Sequence, residues 1–298
     1  MKILLFGCGG QVGWELQRSL LPLGELVALD YDSTDLCGSF NDLAGLARTV
    51  RAVRPDVIVN AAAHTAVDRA EAEPELAHTL NAAAPAVLAR EAQTLGAWLV
   101  HYSTDYVFDG SGNAPWTEAD TPAPLSVYGR TKLAGEAAVA AHERHLIFRT
   151  SWVYAARGGN FARTMLRLAK DRDSLNVIAD QVGAPTSAEL LADVTAHALR
   201  AALERPALAG LYHTVAAGET SWHGYALHVL ARAAARGQGL KAGPQSVMAI
   251  ATDQYPTAAR RPLNSRLDTA KLRGAFSLAL PDWRLQVDRM LDEILAKP

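Results

Sequence analysis

Short apolar runs alternate with longer amphipathic stretches through the first half of the chain, which is how a parallel sheet with a helix after each strand writes itself in sequence. Met1–Phe6, Leu26–Leu29, Asp56–Asn60, Trp98–Tyr102 and Leu146–Arg149 read as strands. Helical periodicity falls between them at Trp14–Leu21, Leu43–Val53 and Pro74–Leu95, and again around Tyr128 and Lys132. This alternation predicts an α/β fold, a doubly wound parallel sheet. Beyond Thr150 the pattern changes. Loops rich in Gly, Pro, Asn and Trp separate helices near Phe161–Ala169, Ala188–Leu203 and Trp222–Ala235, and Asn176–Ala179 and Leu211–Val215 are candidate further strands. The chain therefore divides into residues 1–150, which carry the sheet, and residues 151–298, a smaller C-terminal lobe interleaved with the end of the sheet. Gly237–Pro244 is the one stretch whose composition predicts mobility.

A length of 298 residues suits one large α/β unit or a domain with a lobe. The formal net charge of −2 offers no general attraction to nucleic acid or to an anionic membrane surface. No segment approaches the roughly 20 uninterrupted apolar residues of a membrane span. The N-terminal apolar run is stopped by glycine too early for a secretion signal. Two cysteines argue against a disulfide framework and for a reducing cytoplasm.

The first strand runs directly into Gly7-Cys-Gly-Gly10-Gln-Val-Gly13 and then into a helix. Glycines at 7, 10 and 13 let the backbone turn tightly, approach a pyrophosphate and pack helix against strand, while the helix start at Gln11 and Val12 offers free N–H groups. Asp30 closes the second strand where an acid binds an adenosine ribose, and a carboxylate there repels a 2′-phosphate. Together these predict that residues 1–150 bind a dinucleotide. Cys8 reads as a small loop side chain. Asn60-Ala-Ala-Ala63-His64-Thr65 follows the third strand, at the edge where open sheets take ligands. Ala63, His64 and Thr65 are candidate cofactor contacts there, the alternative being a tight turn.

Ser103-Thr104-Asp105 follows the fourth strand and opens onto the same crevice. A hydroxyl at this point either stabilises a developing alkoxide or caps a turn. Tyr128 and Lys132 stand four apart, so on a helix they share a face. The ammonium is expected to lower the phenol pKa towards working pH, making a proton donor for the reduction of a carbonyl.

Gly7-x-x-Gly10-x-x-Gly13, the Ser/Thr segment and Tyr128-x-x-x-Lys132 together resemble the extended short-chain dehydrogenase/reductases. Longer stretches narrow the resemblance to the reductases of nucleotide-linked 4-keto-6-deoxy sugars: Asn60-Ala-Ala-Ala-His-Thr-Ala-Val-Asp68, His101-Tyr-Ser-Thr-Asp-Tyr-Val-Phe108, Phe148-Arg-Thr-Ser-Trp-Val-Tyr154, Asp180-Gln-x-Gly-Ala-Pro-Thr186 and Arg260-Arg-Pro-x-Asn-Ser-Arg-Leu267. The resemblance implies a Rossmann sheet, NADPH or NADH as hydride donor, and the C4 carbonyl of a dTDP-linked 4-keto-6-deoxy sugar as acceptor, in the biosynthesis of nucleotide sugars for cell-surface polysaccharide. It implies that Tyr128 protonates the C4 oxygen, that Lys132 holds the nicotinamide ribose and lowers the tyrosine pKa, and that Thr104, helped by Asp105 or the Ser103 region, bonds near the reacting oxygen. Gly10, Gln11 and Val12 would then touch the pyrophosphate, with Ser39, Phe40 and Tyr102 completing the cofactor site. Related enzymes often carry an acid where this chain has Ser39, so the adenine contact there falls to Asn41, Asp42 or the backbone. Trp152 would pack on the sugar or nucleotide, or else serve as core, and Arg260 would clamp the diphosphate. A homodimer with magnesium at a contact through Glu15, Glu189 and Glu293 is also implied. Asp105 is followed by Tyr106 and not by the glutamate a dehydratase needs. An epimerase and a non-catalytic NAD(P)-binding regulatory subunit remain as alternatives, although such subunits commonly lose part of the Thr104, Tyr128 and Lys132 set.

Overall fold

The structure, a computed structural model, describes residues 1–296. β1 (Lys2–Phe6), β2 (Glu25–Leu29), β3 (Val57–Asn60), β4 (Trp98–Thr104) and β5 (His145–Thr150) alternate with α1 (Gln11–Leu20), α2 (Leu43–Val53), α3 (Val67–Ala72), α4 (Pro74–His78), α5 (Ala84–Leu95) and α6 (Val127–Ala140). The second half adds helices α7 (Phe161–Asp171), α8 (Ala188–Glu204), α9 (Trp222–Ala235), α10 (Ala270–Phe276) and α11 (Trp283–Leu295). Its strands are short: β6 (Val153–Tyr154), β7 (Leu175–Ile178), β8 (Val182–Gly183), β9 (Thr186–Ser187), β10 (Gly210–His213), β11 (Thr220–Ser221) and β12 (Val247–Ile250). No helix among the described residues is long and apolar enough to cross a membrane.

The main sheet is parallel, in the order β10-β5-β4-β3-β1-β2. Its strands read as unbroken apolar runs because both faces are covered. Along β1, Ile3 and Leu5 enter one core while Leu4 and Phe6 enter the other. The chain leaves β1 towards β2 on one side and continues through β3 on the other, so the crevice between the carboxyl ends of β1 and β3 is a topological switch point. Residues after Thr150 help to build this unit: β10 closes one edge of the sheet, and α8 packs on α1.

Five stretches depart from the pattern read in sequence. α1 begins at Gln11, ahead of Trp14, because Gly10 is its extended N-cap. The expected helix Pro74–Leu95 is interrupted by a π-helical turn at Thr79–Ala83. The two candidate strands differ in fate, β7 pairing with β12 outside the main sheet while the strand at Leu211 stops at His213. Gly237–Pro244 is anchored, with the amides of Lys241 and Ala242 donating to the Ala169 carbonyl at 2.8 and 3.0 Å and Ala242 buried.

Candidate active site

Gly7 adopts φ +78°, and a Cβ there would lie 2.7 Å from the Ala62 amide nitrogen. At Gly13 a Cβ would overlap the Gly7 carbonyl. Only glycine lets β1, α1 and the loop after β3 approach this closely. The N-cap Gly10 makes no side-chain cap, and the first turn holds no acid, so the N–H groups of Gln11 and Val12 are free for an anion. The Gln11 side chain turns aside and donates to the carbonyls of Arg157 and Gly159 at 3.3 and 3.1 Å. Asp30 is tied to the same loop: its carboxylate accepts from the Gly9 amide and from Tyr31, each at 2.7 Å. Glycine cradle, bare helix end and adjacent acid fit a dinucleotide. Phe40 is buried edge-on against Phe6 at 5.6 Å, and Asp42 is consumed as the cap of α2, 2.8 Å from the Gly45 amide. Beside them, half-buried Ser39 has its carbonyl taken by the Asp42 amide at 3.2 Å.

The loop after β3 is held from two sides. Asn60 accepts from the Ala62 amide and reaches His101 Nδ1, both at 3.0 Å. Fully buried Asn81 accepts from the His64 amide at 2.8 Å and donates to the His64 carbonyl at 3.1 Å and to Thr131 Oγ1 at 3.2 Å. The π-helical turn is what aims Asn81 inward, and no periodicity in the sequence marks it. The His64 ring faces Glu73 at 3.6 Å, a carboxylate already paired with Arg69 at 2.8 Å. His64 is a loop anchor here. Ala63 is half-buried beside it, and Thr65 is exposed.

α6 starts at Ser126, whose Oγ accepts from the Gly129 amide at 3.1 Å, while Glu71 accepts from the Val127 amide at 2.7 Å. This puts Tyr128 in the first turn and Lys132 one turn on. The Lys132 ammonium is buried and donates to the Tyr102 carbonyl at 2.6 Å. Burial lowers its pKa to about 8, against an upward pull from Glu136. The phenol of Tyr128 behaves contrary to the expectation from sequence. Burial pushes it up to about 12, hydrogen bonding with Thr104 draws it back, and Asp105 adds to the rise. Lys132 has no part in this shift; its ammonium is directed to the Tyr102 carbonyl. Tyr128 is thus a protonated donor at neutral pH.

Thr104 donates to Asp105 Oδ1 at 3.1 Å and accepts from the Tyr106 amide at 3.2 Å. Asp105 is buried, with Oδ2 lacking a hydrogen-bond partner, and burial raises its pKa to about 6. Tyr106 packs edge-on to Tyr128 at 5.5 Å. The side chain of Tyr102 points away towards α8, its hydroxyl 2.5 Å from Thr195 Oγ1. What Tyr102 gives this site is its carbonyl.

On the lobe side, half-buried Trp152 holds the left-handed value φ +50°. Its ring stacks on Trp222 with centroids 3.7 Å apart and planes 14° apart. Trp222 is pinned by its Nε1 donating to Gln181 at 3.1 Å, and a Cβ on Gly183 would come within 3.0 Å of the Trp152 ring. Trp152 is therefore a supported platform and not buried core. Arg260 is exposed, and no ion pair or side-chain hydrogen bond engages it among the described residues. Its neighbour Arg261 is the ordered cation, forked onto Asp68 at 2.7 and 3.1 Å. Glu15, Glu189 and Glu293 face one patch, since the latter two raise the pKa of Glu15 behind the larger effect of burial. Yet no group of three His, Cys, Asp or Glu among the described residues is placed to hold a metal. Arg18 and Arg289 supply countercharge to Glu15 and Glu189 at 3.6 and 3.4 Å.

A doubly wound sheet with a glycine cradle at its switch point, and Thr104, Tyr128 and Lys132 gathered at the carboxyl end of β4, defines an extended short-chain dehydrogenase/reductase. Within that class, the model of the RmlD substrate binding domain family matches residues 1–296, and the chain belongs to that family. The chain is 60% identical over 295 residues to a dTDP-4-dehydrorhamnose reductase of Shigella flexneri, covering 99% of this chain and 98% of that protein. It is 48% identical over 302 residues to the enzyme of the same name from Burkholderia thailandensis, covering 100% of both. A crystal structure of a dTDP-4-dehydrorhamnose reductase from Bacillus anthracis in complex with NADP superposes with a TM-score of 0.86, at 34% identity, covering 98% of this chain and 99% of that one.

Proposed function

We propose that this protein is an NAD(P)H-dependent reductase that converts dTDP-4-dehydro-β-L-rhamnose to dTDP-L-rhamnose. The supporting observation is the meeting of a protonated Tyr128 phenol with the Thr104 hydroxyl at the sheet edge that carries the glycine cradle. The reduced nicotinamide, when bound, supplies hydride to the sugar C4. The chain's part is to bind, orient and deliver a proton. The backbone of Gly10, Gln11 and Val12 takes the pyrophosphate, and Asp30 and the Ala63–Thr65 loop take the adenosine side and the remainder. Tyr128 gives its proton to the C4 oxygen as negative charge develops there. Lys132, held by the Tyr102 carbonyl, would fix the nicotinamide ribose. Trp152 offers a flat apolar surface to the sugar. We assign the diphosphate to Arg261, the ordered guanidinium, ahead of Arg260. We infer a cytoplasmic homodimer: the resemblance supports the dimer, and two free, half-buried thiols suit a reducing compartment.

Purified protein should oxidise NADPH or NADH only when the 4-keto sugar nucleotide is supplied. Unchanged absorbance at the reduced-nicotinamide band, with competent substrate present, overturns the reductase reading.

A further inference from the structure

Behind Lys132 lies a pair of charges that the reaction just described leaves unused. Glu136, one turn further along α6, and Arg149 in β5 are both buried, 3% and 4% exposed. The guanidinium forks onto the carboxylate, Nε to Oε1 at 2.9 Å and Nη2 to Oε2 at 2.7 Å. A buried ion pair contributes little net stability and is replaceable by apolar side chains of similar volume, so its position asks for a reason beyond folding.

That position is specific. Arg149 stands in register with Ser103 on β4 and with His213 on β10. Ser103 lies between Tyr102, whose carbonyl holds Lys132, and Thr104. The pair therefore joins the helix that carries Tyr128 and Lys132 to the strand beside the Thr104 segment. The guanidinium is held in place from its other side by the Phe108 ring, 5.0 Å away. The charged and titratable groups around Lys132 are few: Glu136 and Tyr128 on its own helix, and His101 on β4, which is held neutral by burial and by Lys132 itself. Behind Glu136 stand Arg149 and, beyond it, His213, also neutral through burial and the arginine charge. Among the described residues Glu136 is the anion that acts on the ammonium, and its carboxylate is shared with Arg149.

We propose that Glu136 and Arg149 are positioning residues for Lys132, locking α6 to β5 at the height of Thr104 and setting the electrostatic field in which the ammonium stays charged. This rests on the reductase reading for its use in turnover, but the charge relation exists in the free protein. The test accordingly begins there. Lysine labelled with ¹³C at Cε is titrated by NMR in the cofactor-free chain, with Lys132→Met assigning the resonance. Glu136→Gln removes the anion and leaves the cation, so the Lys132 titration should move down by roughly one pH unit. Arg149→Met does the reverse and should move it up by a comparable amount. In each variant the alkaline limb of kcat/KM should follow the NMR shift. A merely structural pair would give no such opposition. Where a single variant does not fold, Glu136→Gln with Arg149→Met leaves no lone buried charge, and the titration should fall below that of the parent by less than about one pH unit. Titrations that stay in place, or that move in the same direction in both single variants, overturn the proposal. A shift without any reductase activity would leave this inference standing and remove the catalytic one.

Discussion

The two halves of the site are built in opposite ways. The proposed cofactor side is made by taking side chains away: Gly7, Gly10 and Gly13 let three backbone segments meet, and the groups left free at the start of α1 are amides. The proposed substrate side is made by side chains that support one another across long stretches of chain, as Trp222 and Gln181 support Trp152 and Asp68 holds Arg261. A surface made of amides is damaged by adding atoms, whereas one made of stacked and paired side chains is damaged by removing them. The chemistry sits between the two, on α6 and the end of β4.

That contrast can be broken at its centre first. Tyr128→Phe removes the proton donor alone, so kcat should fall by about 10²–10⁴ while the dissociation constant for NADH, read by fluorescence, stays within a few-fold. Full turnover in this variant would end the role given to Tyr128. Next, Gly7→Ala adds one methyl against the Ala62 backbone at positive φ. Strain of about 1–3 kcal/mol is expected, with cofactor affinity lost and the near-ultraviolet dichroism of the Trp152–Trp222 stack unchanged. A matched loss in both halves would show that they are not separable.

Asp105→Asn tests the boundary from the stability side. The folded carboxyl titrates near 6, above the unfolded value, so the advantage of its neutral form is fully present below the unfolded pKa and is lost as pH rises through about 6. The amide avoids that loss. The variant should therefore be more stable than the parent by about 1–3 kcal/mol above pH 6, and the gain should vanish towards pH 4 in denaturant titrations, while kcat/KM falls. A gain independent of pH would assign it to packing. The smallest effect separates two neighbouring arginines: Arg261→Ala should raise KM for the sugar nucleotide by the equivalent of about 1 kcal/mol, and Arg260→Ala should leave it near the parent value.

The same contrast explains what could be read from the sequence. The glycine loop and the Tyr128–Lys132 spacing are local, so one strand and one turn of helix suffice to see them, and the sheet followed from apolar runs. The partners that hold the site are not local. Nothing near Trp152 announces Trp222, and nothing in Arg260-Arg261 says which guanidinium turns inward. Likewise, nothing around Lys132 names Arg149. The Tyr128 phenol differs from its sequence reading for a related reason: spacing brings the ammonium onto the right face but cannot show how deeply the phenol is buried or that Asp105 lies near it.

The turn at Thr79–Ala83 carries its own consequence. The Ala84 amide reaches back to the Thr79 carbonyl, one position further than in an ordinary helix, so the segment contains a residue more than its span requires. That surplus is what swings Asn81 under the loop bearing His64. Outside Asn81, length rather than letter is the constraint on this stretch: a single deletion would straighten the rod and withdraw the amide that braces the His64 loop.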